Sequence, residues 1–73
     1  MKFHVTVTLK NGVLDPQGLA IENALPGMGI TGVATVRQGK FFEIEADRRE
    51  TVEELCERLL ANTVVEDWKV SEA

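Results

Sequence analysis

The stretch Leu9-Lys10-Asn11-Gly12-Val13-Leu14-Asp15-Pro16-Gln17-Gly18 decides the fold, because it closes one regular element and opens another. Asn11-Gly12 is a turn signal. Asp15-Pro16 reads as a helix N-cap followed by proline at the first helical position. The aspartate can accept an otherwise unpaired N–H, and proline has no N–H to lose there. A loop built for acid–base or metal chemistry would cluster histidine, cysteine, carboxylates or an activated nucleophile. This one carries residues that shape backbone, so it points away from catalysis.

Upstream, Lys2 to Lys10 alternates strictly. Phe3, Val5, Val7 and Leu9 face one way, and His4, Thr6 and Thr8 face the other. A period of two with β-branched residues is a half-buried strand. Downstream, Ile21, Leu25 and Met28 recur at i, i+4 and i+7 on one helical face, with Glu22 pointing outward. Pro26 would cost about 3 kcal/mol inside a helix. The first helix therefore ends near Asn23–Leu25, with Gly27 and Gly29 terminating it.

Gly32 to Gln38 reads as a second strand and Phe41 to Ala46 as a third, joined by a tight turn at Gln38-Gly39. In that hairpin Arg37 and Lys40 stand opposite each other at the tip. Thr51 with Glu54 forms a capping box. Val52, Leu55, Cys56 and Leu59 follow on one face of a second helix, which should end around Ala61 with Asn62 as a left-handed cap. Val64 to Val70 is a last strand, with Trp68 and Val70 on one face. The order β-α-β-β-α-β predicts an α+β, ferredoxin-like split fold: a four-stranded antiparallel sheet with two helices on one face. The hairpin is apolar on both sides, with Val33, Phe42 and Ile44 on one and Val36 and Phe41 on the other. A lone domain needs one apolar face, so the open face or an edge strand is expected to lie under another subunit.

Seventy-three residues form one domain, residues 1–73, with a modest core. One cysteine allows no intrachain disulfide, so partner docking or oligomerisation is the expected source of added stability. A net charge of −4 opposes binding to a phosphate backbone, so no nucleic acid is expected as partner. No apolar run nears the roughly 20 residues that span a bilayer, and Met1-Lys2-Phe3-His4 does not start a signal peptide. A cytoplasmic protein without membrane contact is the expectation.

No catalytic constellation can be assembled. His4, the only histidine, has no second ligand placed by sequence and reads as a surface or interface residue. Cys56 lies on the apolar face of the second helix and reads as a buried structural thiol. Asp47, Arg48, Arg49 and Glu50 lead into the acidic first turns of that helix, a solvated face that suits the helix dipole. No HxxE, CxxC or DxDxDG spacing occurs, so no metal site is expected. Gly27-Met28-Gly29-Ile30-Thr31-Gly32 follows a helix instead of opening one, which defeats a phosphate cradle. An acylphosphatase of this topology would need an arginine in the loop after strand one, and Asn11 to Asp15 has none. An RNA-recognition module would show more aromatic residues than Phe41 and Phe42.

Four further segments carry a family likeness. They are Leu14-Asp15-Pro16-Gln17-Gly18 with Ala24-Leu25, then Val36-Arg37-Gln38-Gly39-Lys40, then Glu43-Ile44, then Cys56 through Trp68. In this order and at this length the chain resembles the PurS family, the small subunit of phosphoribosylformylglycinamidine (FGAM) synthase in purine biosynthesis. The resemblance implies a subunit without catalytic residues that bridges a PurQ-type glutaminase and a PurL-type synthetase and assists ammonia transfer. Their complex converts formylglycinamide ribonucleotide to formylglycinamidine ribonucleotide with ATP and glutamine. It implies no cofactor on this subunit, with ATP and Mg in the synthetase, and a homodimer or homotetramer. The residues expected at a partner or dimer interface are Asn11, Gly12, Gln17, Arg37, Gly39, Lys40, Asn62 and Trp68. The rival reading is an ACT-like regulatory module, which shares the element order and binds an amino acid beside the first helix.

Overall fold

The computed structural model describes residues 1–73. Strand β1 (Lys2–Leu9) lies at the centre of a three-stranded antiparallel sheet, between β2 (Gly39–Glu45) and β3 (Glu66–Glu72). The alternation of β1 holds: Phe3, Val5 and Val7 are fully buried, whereas Thr6 and Thr8 are exposed on the open face. Val52 and Cys56 from helix α2 (Arg49–Leu55) and the turn that continues it pack on those side chains with Ala61 and Val70. Trp68 and Val70 do share a face. Val70 is buried and Trp68 half-buried against the core.

Helix α2 departs from its expected ends. It begins at Arg49, so Thr51 lies inside it and caps nothing; the N-cap residue Arg48 makes no side-chain cap. The Arg49 guanidinium explains the earlier start. It donates to the Val70 carbonyl at 2.9 Å and pairs with Glu53 at 3.2 Å, which draws Arg49 into the first turn. At the other end Cys56–Leu60 widens into a π-helical turn, and Ala61 is already extended. No residue other than glycine has a positive φ, so Asn62 is not a left-handed cap. It organises the next turn instead. Its side-chain oxygen accepts from the Val64 N–H, and its carbonyl accepts from the Val65 and Glu66 N–H groups.

The largest departure is the fourth strand. Gly32 to Gln38 makes no sheet pairing, and Gln38-Gly39 does not turn. A two-residue hairpin turn needs a positive φ, and Gly39 has none. The chain runs extended through Gly39 and enters β2 directly. Helix α1 (Pro16–Ala24) starts at Asp15 as expected, with Pro16 at its first position. It ends before Pro26 in a short 3-10 turn (Pro26–Met28), which Gly29 closes at φ 76°. Only Gly18 is buried in α1, so the helix does not lie on the sheet beside α2 as the predicted fold requires. With the extended return segment it forms an arm, residues 13–38. The molecule measures 47 × 25 × 14 Å. Its radius of gyration is 15.3 Å, whereas a compact chain of this length would have about 11 Å.

Candidate functional site

The arm meets the sheet where β1 ends, and the contacts there are polar. Asp15 is the centre. Its Oδ1 accepts from the Gly18 N–H at 2.9 Å, the expected cap. Its Oδ2 accepts from the Gln38 N–H at 2.6 Å, so the same carboxylate also fastens the returning chain. Capping alone therefore does not account for Asp15. The Gln38 N–H, then the Gly18 N–H, hold its carboxyl below the ordinary carboxylate value against the opposing effect of burial, and the Arg37 charge adds to them. Two turns along α1, Glu22 repeats the device: its Oε2 accepts from the Val36 N–H at 3.1 Å. Glu22 thus faces the return segment and not solvent. Gly18 sits between these two carboxylates. A Cβ there would strike the Val36 carbonyl, so glycine lets the extended chain lie against the helix.

Arg37 locks the root from the other side. Its guanidinium donates to the carbonyls of Leu9 at 2.9 Å and Lys10 at 3.3 Å, the last residues before the Asn11-Gly12 turn. The Gln38 side-chain amide donates to that of Gln17. Lys40 lies 3.6 Å from Glu66, and Glu66 also accepts from the Asn62 N–H at 2.7 Å. Between the arm and the sheet lies a cleft of about 240 Å³. Val7 and Leu9 contribute to its wall, with Gln17, Gly39, Lys40 and Glu66 among its polar lining.

Of the eight residues expected at an interface, the fold gathers most at this end. Gln17, Gly39 and Lys40 line the cleft, and Arg37 clamps the strand end beside it. Asn62, in the turn just before β3, donates its N–H to Glu66, and Asn11 and Gly12 form the exposed turn after β1. Trp68 stands apart, opposite Val7 on the core side of β3. Sequence reasoning missed Glu22, Gln38 and Glu66. Asp15 was legible as a cap, but nothing local shows that a second oxygen has a distant partner.

The remaining chemistry-bearing side chains form no site. His4 lies on the open face, 3.4 Å from Glu43 and with its ring 5.0 Å from that of Phe41. Cys56 is buried. Burial, then the Glu53 and Glu57 charges, push its thiol pKa up, which favours the unreactive thiol. No group of three or more His, Cys, Asp or Glu side chains is placed to hold a metal ion. No helix is long and apolar enough to cross a membrane.

The surplus apolar surface lies elsewhere than expected. On the open face Phe41 is the one large exposed apolar side chain. The arm instead exposes Leu14, Leu19, Ile21, Met28, Ile30 and Val33. Of the helix face predicted to be internal, Ile21 and Met28 are exposed and Leu25 is half-buried.

Comparison with known proteins agrees with this geometry. Residues 2–72 match the family PurS, described as phosphoribosylformylglycinamidine (FGAM) synthase. The Mycobacterium leprae protein named phosphoribosylformylglycinamidine synthase subunit PurS is 50% identical over 72 residues, spanning 92% of this chain and 89% of that one. The solved structure of Bacillus subtilis PurS superposes with a TM-score of 0.87 at 44% identity, covering 96% of this chain and 94% of that one. A chain in the structure of PurLQS from Thermotoga maritima gives a TM-score of 0.84 at 36% identity, with coverages of 99% and 95%.

Proposed function

We propose, from the premise that this chain belongs to the PurS family, that it works by holding other proteins together. It is the PurS subunit of FGAM synthase in purine biosynthesis and is itself non-catalytic. Its partners are a PurL-type synthetase and a PurQ-type glutaminase, as in the PurLQS assembly whose PurS chain it matches. Residues 1–73 act as one PurS-like domain in the cytoplasm. The subunit bridges the two enzymes and assists ammonia transfer from one to the other. ATP and Mg belong to the synthetase of the complex, and this subunit works without a cofactor of its own.

One observation carries the assembly role. A small sheet domain projects an arm that leaves six large apolar side chains uncovered. Such a surface on so small a protein marks an interface. A homodimer is the first assembly it supports. The eight residues Asn11, Gly12, Gln17, Arg37, Gly39, Lys40, Asn62 and Trp68 are offered as contacts to the second copy or to the two enzymes. The ACT-like reading is not favoured. An amino acid bound at the first helix would need free N–H groups there, and Asp15 already occupies that end.

Reconstitution tests the role. The chain is mixed with its synthetase and glutaminase, and glutamine-dependent amidation is assayed. Activity that is the same with and without the chain would overturn the proposal.

A further inference from the structure

The turn that joins β1 to the arm sets an asparagine before a glycine, and nothing holds either side of that bond. The Val13 N–H donates to the Lys10 carbonyl at 3.2 Å, which closes a turn with Asn11 and Gly12 at its centre. Gly12 has φ 85°, and Asn11 has no positive φ. That is the type II pattern, whose third residue must be left-handed. Both residues are exposed. A Cβ built on Gly12 would meet nothing within 4 Å. Neither the Gly12 N–H nor the Asn11 side-chain amide takes part in a hydrogen bond, although the carbonyls just before them do. The other two asparagines differ. Asn23 lies within α1 and precedes Ala24. Asn62 precedes Thr63, and its side-chain oxygen accepts from the Val64 N–H at 3.2 Å.

We infer that Asn11 is a site of spontaneous deamidation through a cyclic imide, and that its product loosens the arm. The Gly12 nitrogen gives its proton to water and attacks Cγ of Asn11. Glycine has no Cβ to crowd that approach. The bond from Cγ to the side-chain nitrogen breaks, ammonia leaves, and the imide ring closes. Water then opens the ring. Cleavage at the side-chain carbonyl restores the original chain path and leaves aspartate. Cleavage at the main-chain carbonyl leaves isoaspartate, whose chain runs on through Cβ and Cγ. Either route consumes water, releases ammonia and turns a neutral amide into a carboxylate, with no oxidant or reductant. The position gives the change its effect. The Lys10 carbonyl accepts both the Val13 N–H and the Arg37 guanidinium, the latter at 3.3 Å. Isoaspartate inserts a main-chain carbon between Lys10 and Gly12. The turn that aims this carbonyl then no longer closes, and Arg37 loses part of its clamp on the arm root.

Ageing the purified chain tests both parts. It is held in mildly alkaline buffer, folded and in urea, and sampled by peptide mapping with enzymatic labelling of isoaspartate. In the folded chain Asn11 should convert within about tenfold of its rate in urea, because an exposed turn opens at little cost. Asn23 and Asn62 should remain amides. Asn11→Gln should abolish the product, since the longer side chain must close a larger and slower-forming ring, and should leave circular dichroism unchanged. The aged chain, separated from the fresh one by its added negative charge, should exchange the Val13 and Gln38 amide hydrogens faster while Val5 keeps its protection. An Asn11 that stays intact in the folded chain while the chain in urea converts would overturn the site. Conversion that leaves exchange at Val13 and Gln38 unchanged would overturn the loosening of the arm.

Discussion

The sheet with α2 and the arm of residues 13–38 are stabilised by different physics. In the first, seven apolar residues are buried, five of them completely, and α2 lies across them. In the second, only Asp15 and Gly18 are buried, and the helix and return segment are joined by carboxylates that accept main-chain N–H groups. Hydrophobic burial is non-directional and large. A hydrogen bond is directional and contributes about 1 kcal/mol net. The sheet can therefore hold its shape alone, whereas the arm depends on a few placed groups and on whatever covers its apolar side.

The core should show the largest effect. Phe3→Ala removes a fully buried ring from the centre of the sheet and should cost about 3–5 kcal/mol. For a domain this small that is much of the total stability. Urea denaturation followed by circular dichroism should show the whole chain losing structure. If Phe3→Ala unfolded the arm and left the sheet intact, the contrast between the two regions would be wrong.

Gly18→Val attacks the arm by itself. The new Cβ would meet the Val36 carbonyl, which is backbone and cannot step aside without parting helix from strand. Overpacking of this kind costs about 1–3 kcal/mol. Hydrogen exchange should speed up at Val36 and Gln38 while the β1 amides keep their protection. Equal loss of protection in β1 would show that the two regions unfold as one unit.

These two substitutions also show what the sequence reveals and what it conceals. Phe3 was legible because a strand's period is local: each residue declares its face through its neighbours. Asp15 was legible as a cap for the same reason. The fourth strand was misread because Val33, Thr35 and Val36 have the right composition, yet a strand exists only where another accepts its hydrogen bonds. That partner is absent from the chain's own sheet. Gln38-Gly39 looks like a turn, but Asp15 and Arg37 hold it straight, and both contacts join residues distant in sequence. The gathering of Gln17, Arg37, Lys40 and Asn62 at one end followed from strand order, which no short motif encodes.

Acid should separate the regions more gently than mutation. The Asp15 carboxyl is held below its ordinary value of 3.8 by the Gln38 and Gly18 N–H groups. A carboxyl whose folded pKa lies below its unfolded one adds stability that is complete above the unfolded value. That stability is lost as pH falls through the folded value. From neutral pH down to about 5 the arm root should therefore be unchanged. Below the ordinary carboxylate range it should loosen, with exchange at Gln38 rising ahead of exchange at Val5. Asp15→Asn keeps an acceptor oxygen but removes the charge, so it should abolish this acid step and weaken the arm at every pH. An acid step that survived Asp15→Asn would overturn the assignment of that step to Asp15.

The smallest effect belongs to the ion pairs at the rim. Lys10 and Asp67 approach to 2.7 Å, but both side chains are well exposed. Water and salt screen such pairs, which are worth about 0–1 kcal/mol. Lys10→Met keeps most of the aliphatic stem and removes the charge. It should shift the urea midpoint barely beyond error, and less still at high salt. The main-chain bond from Lys10 N–H to the Val65 carbonyl, 2.8 Å long, is untouched by that change. The end of β1 should therefore stay in register, and the carbonyls of Leu9 and Lys10 should still receive Arg37. A large loss from Lys10→Met would mean that the junction is held by side-chain charge and not by the main chain. The arm would then be hinged to the sheet through its surface, and its direction would vary with salt.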